Sequence, residues 1–201
     1  MLLFIQNKYY RAITTEQLTV KISNYRSPEW VFMGNGITAG GRNWSLRFGL
    51  NPFNSINLGH IGYSFRQIAA QIPKAVSYHS KYLVLTAETT DLMDVESDAE
   101  TFNFKEWENL VTQLPNNPHC LKIICSIPPQ RDPSTDSRIN ALNEKLKTQA
   151  ESYQLKFLDL NPILLESNVS RPSLFIDSIH LSDTAYDLWA HALLNFTKEY
   201  K

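Results

Sequence analysis

The chain has 201 residues, of which 43% are hydrophobic and 19% charged, and this size suits one α/β domain better than two. Its formal net charge of −1 gives no sign of the basic surface of a nucleic-acid-binding protein, so we expect no nucleic-acid partner. No apolar run approaches the roughly 20 residues that span a bilayer, and the apolar start MLLFI is too short for the core of a signal peptide. We therefore expect a cytoplasmic protein without a membrane span.

Short apolar runs alternate with amphipathic runs along the chain, a pattern typical of a parallel sheet with helical crossovers. The apolar runs predict five strands, at 30–34, 55–59, 82–87, 121–127 and 156–160. The amphipathic runs predict helices at 64–72, 104–114, 136–153 and 182–200. Ser182 or Asp183 is the expected N-cap of the last helix.

These elements predict an α/β fold with three layers, α/β/α, and a central parallel sheet of about five strands. We expect residues 28–201 to form this domain. Residues 1–27 are more polar and match no crossover unit, so we expect them to be an N-terminal extension packed on the domain edge.

No metal site or cofactor is expected. Cys120 and Cys125 flank the apolar run LKII, and side chains five positions apart on a strand point to opposite faces, so we expect two reduced, mostly buried thiols. The acidic run at 91–100 lacks the glycine and the spacing of an EF-hand. We interpret it as a solvated loop that leads into the next helix, whose positive N-terminal end favours acidic residues.

The loop before the last helix contains Asp177 and His180, three residues apart. Ligand sites of open parallel sheets lie at the carboxyl ends of the strands, and such connections are where functional residues are expected. An Asp that is hydrogen-bonded to His Nδ1 orients the ring and stabilises its charged form, as in the base of a hydrolase. On its own, the spacing fits equally a helix-capping Asp beside a surface His.

Six segments, taken together, resemble the sequence blocks of the SGNH (GDSL-type) hydrolases. They are VFMGNGITAGG (31–41), NLGHIGYS (57–64), LTAETTDLM (85–93), SIPPQ (126–130), DLNPIL (159–164) and FIDSIHLSDTAYDLWAHAL (175–193). The resemblance extends over residues 29–199, in the right order and with the right spacing. It implies the flavodoxin-like, three-layer fold of that family and an ancestry among enzymes that cleave esters.

The resemblance also implies roles for three residues. In this family a serine attacks the ester carbonyl, a His takes its proton and an Asp supports that His. Carried over, His180 is the base and Asp177 its support. Gly62 takes the place of an oxyanion-hole donor that acts through its backbone N–H.

Four other positions depart from the family pattern. The position of the nucleophilic serine falls on Gly36, and Asn35 stands where the family has Asp. The Asn of the third block, an oxyanion-hole donor, falls on Thr90, and its Gly falls on Glu88. So many departures indicate natural divergence rather than a single engineered change. Asn-Gly also forms a good turn by itself, because both residues tolerate positive φ.

The incomplete site predicts a catalytically degenerate esterase-fold domain that keeps a cleft for an ester, acyl or glycan ligand. A protein partner that covers the old active face is a further possibility. The alternative is an active carboxyl-ester hydrolase that uses a water activated by His180, or a substitute hydroxyl from Thr38 or Ser64. Glu88 is a less favoured second base, because it stands beside a solvated acidic run.

Several residues near these blocks are candidates for ligand contact. Trp44 and Tyr63 could stack on a ligand, although core packing is the preferred interpretation. His60 and Arg42 offer polar contacts next to them. Arg131, with Gln130 beside it, could pair with a carboxylate or phosphate, or equally with Asp132 or Asp136.

Overall fold

A computed structural model describes residues 27–87, 104–131, 136–166 and 169–200 of the chain. Its centre is a parallel sheet of five strands in the order β2-β1-β3-β4-β5. The strands are β1 (Trp30–Met33), β2 (Ser55–Asn57), β3 (Tyr82–Thr86), β4 (Leu121–Cys125) and β5 (Lys156–Leu158). The predicted sheet is confirmed. Each strand ends one or two residues before the end of the apolar run that predicted it.

The strand register brings the carboxyl ends of the five strands to one edge of the sheet. Met33 pairs with Leu85, and Cys125 pairs with both Thr86 and Leu158. The chain therefore leaves the sheet at this edge after every strand, and the loops that carry the candidate residues begin there.

Eight α-helices are seen in the described part of the chain. They are α1 (Gly36–Gly40), α2 (Trp44–Arg47), α3 (Phe65–Ala69), α4 (Ile72–Ser77), α5 (Phe104–Thr112), α6 (Asp136–Ser152), α7 (Asn161–Leu164) and α8 (Asp183–Lys198). The three longest predicted helices are confirmed to within a few residues, and Ser182 is the N-cap of α8, as expected.

The predicted helix at 64–72 is wrong in extent, because the structure divides this region into α3 and α4. Pro73 lies in the first turn of α4. A proline inside a continuous helix would lose one hydrogen bond and clash with the carbonyl four residues earlier, so the chain starts a new helix there instead. The predicted apolar face is nevertheless buried, from Phe65 and Ile68 to Ile72.

The sequence patterns did not predict the short elements. These are α1, α2 and α7, a 3₁₀ turn (Pro172–Leu174) and an antiparallel ribbon of β6 (Leu165–Glu166) and β7 (Val169–Ser170). Elements of two to five residues are shorter than the window over which hydrophobic periodicity can be recognised.

Two hydrophobic clusters lie on opposite faces of the sheet, which establishes the three-layer arrangement. Alternate residues of β1 divide between them: Val31 belongs to the first cluster and Phe32 to the second. The first cluster is covered by α3, α4, α5 and α6, and the second by α2, α7 and α8. Trp44 of α2 is fully buried and stacks on Phe32 with ring centroids 4.4 Å apart. Its interpretation as a core residue is confirmed.

Both cysteines are free thiols, as expected. Cys125 is fully buried in the second cluster, and this burial raises the pKa of its thiol to about 12. Cys120 is half-buried, one residue before β4, and burial raises the pKa of its thiol as well. Among the described residues, no group of His, Cys, Asp and Glu is placed to hold a metal ion. In the same residues, no helix is both long and apolar enough to cross a membrane.

A buried arginine ties α2 to α8. The Arg47 side chain is fully buried and donates to the Gly41 carbonyl (2.8 Å) and to carboxylate oxygens of Asp183 and Asp187 (both 2.9 Å). Both aspartates are partly exposed, at 45% and 35% of their side chains. The start of α8 is thus fixed against the segment that follows α1.

We expect Trp189→Ala to lower the free energy of unfolding by about 3–5 kcal/mol, the usual cost of truncating a large aromatic side chain in a core. Trp189 is fully buried and meets the Trp44 ring edge-on at 5.0 Å between centroids. Urea unfolding followed by fluorescence measures the difference. His191→Ala, on the exposed side of the same helix, serves as the control, with a change within about 0.5 kcal/mol. Equal losses in the two variants would contradict the described packing of α8.

Candidate functional site

Asp177 and His180 lie in a tight loop just before α8. Phe175 and Leu181 form an antiparallel bridge at the base of this loop, and the backbone N–H of Ile176 donates to the carbonyl of His180 at 2.8 Å. The two candidate residues are therefore held on a closed loop at the entrance to a long, well-packed helix.

The carboxylate of Asp177 makes three hydrogen bonds within this loop. Oδ1 accepts from the backbone N–H groups of Ile179 and His180, both at 2.8 Å, and Oδ2 lies 2.7 Å from Nδ1 of His180. The two backbone donors, with the imidazole contact added, lower the pKa of the Asp177 carboxyl to about 2. Asp177 is thus ionised at neutral pH.

The ionised carboxylate determines how the His180 ring is used. A carboxylate can only accept, so Nδ1 carries the hydrogen of the bond to Asp177, and Nε2 is the nitrogen left to accept a proton. The side chain of His180 is 68% exposed and that of Asp177 is 53% exposed, so the imidazole ring is open to solvent and to a ligand. Such an arrangement can serve chemically as an oriented general base.

Gly36 is the first residue of α1, at the turn that follows β1. The side chain of Asn35, which is buried, caps the helix by accepting from the N–H of Ile37 at 3.4 Å. A Cβ added at Gly36 would lie 3.9 Å from Ile61, an ordinary van der Waals contact. A side chain would therefore fit at this position, and the turn does not require glycine for steric reasons.

The loop after β2 brings Gly62 to the turn at Gly36. The N–H of Leu58 donates to the Phe32 carbonyl at 2.8 Å, and the N–H of His60 to the Gly34 carbonyl at 3.1 Å, so the loop continues beside β1 beyond the sheet. Gly62 has φ +77°, in the left-handed region that favours glycine, and nothing lies within 4 Å of an added Cβ. The backbone conformation, not close packing, accounts for glycine here.

Asn57 locks the two loops together, a role that the sequence reasoning missed. Its Nδ2 donates to the carbonyls of Thr38 and Arg42, both at 2.9 Å, and its Oδ1 accepts from the N–H of Gly59 at 2.9 Å. A Cβ at Gly59 would approach the backbone N of Ala39 to 2.5 Å. The spacing Asn-x-Gly after a strand was visible in the sequence, but not its partners.

Tyr186 and Arg47 connect the Gly36 turn with the helix that follows His180, and both were also missed. The hydroxyl of Tyr186 donates to the carbonyl of Ile37 at 2.8 Å. Together with the Arg47–Asp183 bond, this contact fixes α8 against α1 and its neighbour. A polar group on the apolar face of α8 was the available signal.

The two proposed substitute hydroxyls have different surroundings. Thr38 is fully buried inside α1 and packs directly against Gly34. Ser64 faces Gln67, whose Oε1 accepts from the Ser64 N–H at 3.0 Å and from its hydroxyl at 3.2 Å. The interpretation of Ser64 as a helix cap is confirmed.

The residues predicted as candidates for ligand contact differ in how exposed they are. His60 is exposed and stacks on the half-buried ring of Tyr63, with centroids 4.1 Å apart, beside the first hydrophobic cluster. Arg131 is exposed, and its backbone N–H donates to the Ser178 carbonyl at 2.9 Å. Gln130 is buried.

Several of the predicted positions lie outside the described residues. They are Glu88, Thr90, Asp132, the acidic run at 91–100 and almost all of the N-terminal extension at 1–27.

The pKa of Asp177 can be tested directly. Because its folded value of about 2 lies below the ordinary value of about 4, the ionised carboxylate stabilises the fold above pH 4, and this contribution is lost as the pH falls toward 2. We expect NMR titration of the side-chain carboxyl to give a midpoint near 2, and Asp177→Asn to lose less stability than the native chain over that range.

His180→Ala provides the control, because it removes the ring but keeps the backbone N–H groups, which are the largest cause of the shift. The Asp177 midpoint should stay well below about 4 in this variant. A midpoint near the ordinary value in the native chain would refute the described geometry.

Comparison with known proteins identifies a family whose sequence model matches this chain and several solved structures with a similar fold. The sequence model of the GDSL-like Lipase/Acylhydrolase family matches residues 32–188. A GDSL-like lipase from Bacteroides thetaiotaomicron is similar with a TM-score of 0.70 and 19% identity, over 96% of this chain and 98% of that one. A protein from Bacteroides fragilis, assigned as an acylhydrolase, has a TM-score of 0.69 and 21% identity, over 97% and 99%.

A third similar structure is the C-terminal catalytic domain of peptidoglycan O-acetyltransferase A from Streptococcus pneumoniae, determined with a methylsulfonyl adduct. Its TM-score is 0.58 at 14% identity, over 86% of this chain and 94% of that one. No match was found among curated protein sequences. At these identities the solved structures establish the fold alone, and the central parallel sheet with helices on both faces agrees with it.

Proposed function

Since the chain belongs to the GDSL-like lipase/acylhydrolase family, we propose that it is a divergent, catalytically degenerate member in which Gly36 stands in place of the nucleophilic serine and which keeps a site for an ester, acyl or glycan ligand. One observation carries the proposal. The Asp177–His180 pair is oriented as a general base, while the turn at Gly36 has room for a side chain but holds no nucleophile.

The expected loss of catalysis follows from how such sites work. Without an oxygen nucleophile at position 36, no acyl-enzyme forms there, and the loss of a nucleophile from a comparable triad costs about 10⁶-fold in rate. We assign Gly62 and Thr90 to the remaining oxyanion positions. Thr90 replaces an Asn, and the loss of one donor typically costs a further 10²–10³-fold, roughly. Binding is less affected, because the cleft does not depend on the serine oxygen.

The ligand classes come from the family and from its neighbours. The family unites lipases with acylhydrolases. One similar structure is a peptidoglycan O-acetyltransferase domain, so acyl groups on glycans are also handled on this fold. We therefore place an ester, an acyl group or an acylated glycan at the site. A protein partner that covers the same face is the other kind of ligand consistent with a lost reaction.

An active hydrolase is the second candidate, and the free Nε2 of His180 favours it. With only hydrogen at position 36, a water molecule could stand where the serine oxygen would be. Nε2 would take one proton as the water oxygen bonds to the ester carbonyl carbon. The tetrahedral intermediate would then expel the alcohol, which receives that proton from His180. Glu88, if it is buried, would be a second base for the same step.

We expect Gly36→Ser to create hydrolysis of a short-chain aryl ester, measured by release of the phenol. The gain should be at least about 10²-fold over the native chain, because a complete triad contributes more than the altered oxyanion hole costs. Gly36→Ala is the matched control, since it adds the Cβ without the hydroxyl, and should stay inactive. Adding His180→Ala to Gly36→Ser should remove the gain.

The native chain decides between the two candidates in the same assay. No turnover in the native chain and turnover in Gly36→Ser support the degenerate site. Native turnover that disappears in His180→Ala supports the water mechanism and contradicts degeneracy. If Gly36→Ser folds but stays inactive with every ester tested, the assignment of Gly36 to the serine position is wrong.

A further inference from the structure

A groove of about 680 Å³ runs between α6 and the segment after β5, and neither Asp177 nor His180 lines it. Its volume is within the range typical of small-molecule sites, about 300–1,000 Å³. The strand beside it, β5, is the edge strand of the sheet. The groove therefore opens at the side of the domain, at the carboxyl ends of β4 and β5.

The wall formed by α6 carries three different polar groups. Asn140, Glu144 and Lys147 are spaced by four and three residues, so they lie on one face of the helix, and all three are exposed. An amide, a carboxylate and an ammonium group thus follow one another along the groove. This wall can both donate and accept hydrogen bonds.

The opposite wall contains Asp159 and Asn161, and the ring of Phe157 contributes an apolar surface between the walls. Nδ2 of Asn161 donates to Oδ1 of Asn140 at 3.1 Å, which joins the walls at one point. Oδ1 of Asn161 is buried and has no hydrogen-bond partner among the described residues. Because this oxygen has almost no accessible surface, it is not itself a contact for a ligand in the groove.

These groups favour one ligand chemistry. The two carboxylates oppose an anion, and the ammonium group of Lys147 opposes a cation. A neutral ligand rich in hydroxyl groups satisfies all of them, because each hydroxyl both donates and accepts. The C–H face of a sugar ring also suits the apolar surface of Phe157. We propose that this groove is a binding site for a neutral saccharide of one or two sugar units.

The groove lies beside the Asp177–His180 loop. Pro129 lines the groove, and two residues later the N–H of Arg131 donates to the carbonyl of Ser178, within that loop. A saccharide in the groove would thus bring an acyl group on its edge toward His180. The inference that the Asp177–His180 loop receives a sugar ester rests on the proposed function. The inference that the groove binds a saccharide does not.

NMR titration of the full ¹⁵N-labelled chain with cellobiose tests the binding. We expect amide shifts along α6 and after β5, with a dissociation constant in the millimolar range, roughly 1–10 mM. The double variant Glu144→Ala/Lys147→Ala should weaken binding at least about tenfold, and it keeps the Asn140–Asn161 bond between the walls. Both positions are exposed on a helix, where alanine is well tolerated. Lys145→Ala is the matched control, since Lys145 does not line the groove, and it should leave the affinity unchanged.

Digalacturonate and the glucosamine disaccharide provide anionic and cationic comparisons, and both should bind more weakly than cellobiose. The proposal fails if no amide shifts by about 50 mM cellobiose, if a charged disaccharide binds more tightly, or if Lys145→Ala weakens binding as much as the double variant. These measurements involve no ester bond. Cellobiose binding together with an inactive Gly36→Ser variant would support the groove proposal and contradict the assignment of Gly36 to the serine position. Activity of Gly36→Ser without cellobiose binding would support that assignment and refute the groove proposal.

Discussion

The geometry of the site depends on the ion pairs and hydrogen bonds of the buried Arg47 guanidinium. A charge removed from water is costly unless it is fully paired, and Arg47 is paired with the backbone after α1 and with two aspartates of α8. The partners come from segments about 140 positions apart in the chain. Neither segment can move without leaving the charge unpaired, so the Gly36 turn and the His180 loop keep a fixed relative position. The hydrogen bond from Tyr186 to the Ile37 carbonyl adds a second link between them.

The contact between Asp177 and His180 also has a structural role within its own loop. Two of the three hydrogen bonds to the carboxylate come from the backbone of its own loop, so Asp177 is needed to shape the loop even when nothing is hydrolysed. The Asn35–Gly36 turn is similar, because Asn35 caps α1 as an Asp would. A degenerate member can thus keep most of the appearance of an active site. In the proposed function, the lost chemistry is that of the serine side chain, which Gly36 lacks.

The sequence predicted the features that are periodic or close together along the chain. Apolar runs located the strands, and amphipathic runs located the three long helices, because burial on a sheet demands those patterns. Asp177 and His180 could be recognised because they are only three positions apart in the sequence. The roles of Asn57, Arg47 and Tyr186 could not be recognised, since the partners that link them to other segments are 15 to 149 positions away and only the fold brings them together. The division between α3 and α4, just ahead of Pro73, was readable from the proline but was not predicted.

Cys125 gives the second hydrophobic cluster a chemical reporter. The thiolate is the form that reacts with alkylating reagents, and a thiol whose pKa is about 12, with no exposed surface, remains protonated and shielded in the folded protein. Its alkylation therefore requires the layer of α8 to open. The rate of labelling at this position counts openings of the helix that follows the His180 loop, whether the motion is local or the whole domain unfolds. The alkylation rate of Cys125, in strand β4, therefore reports how often the structure around the site opens.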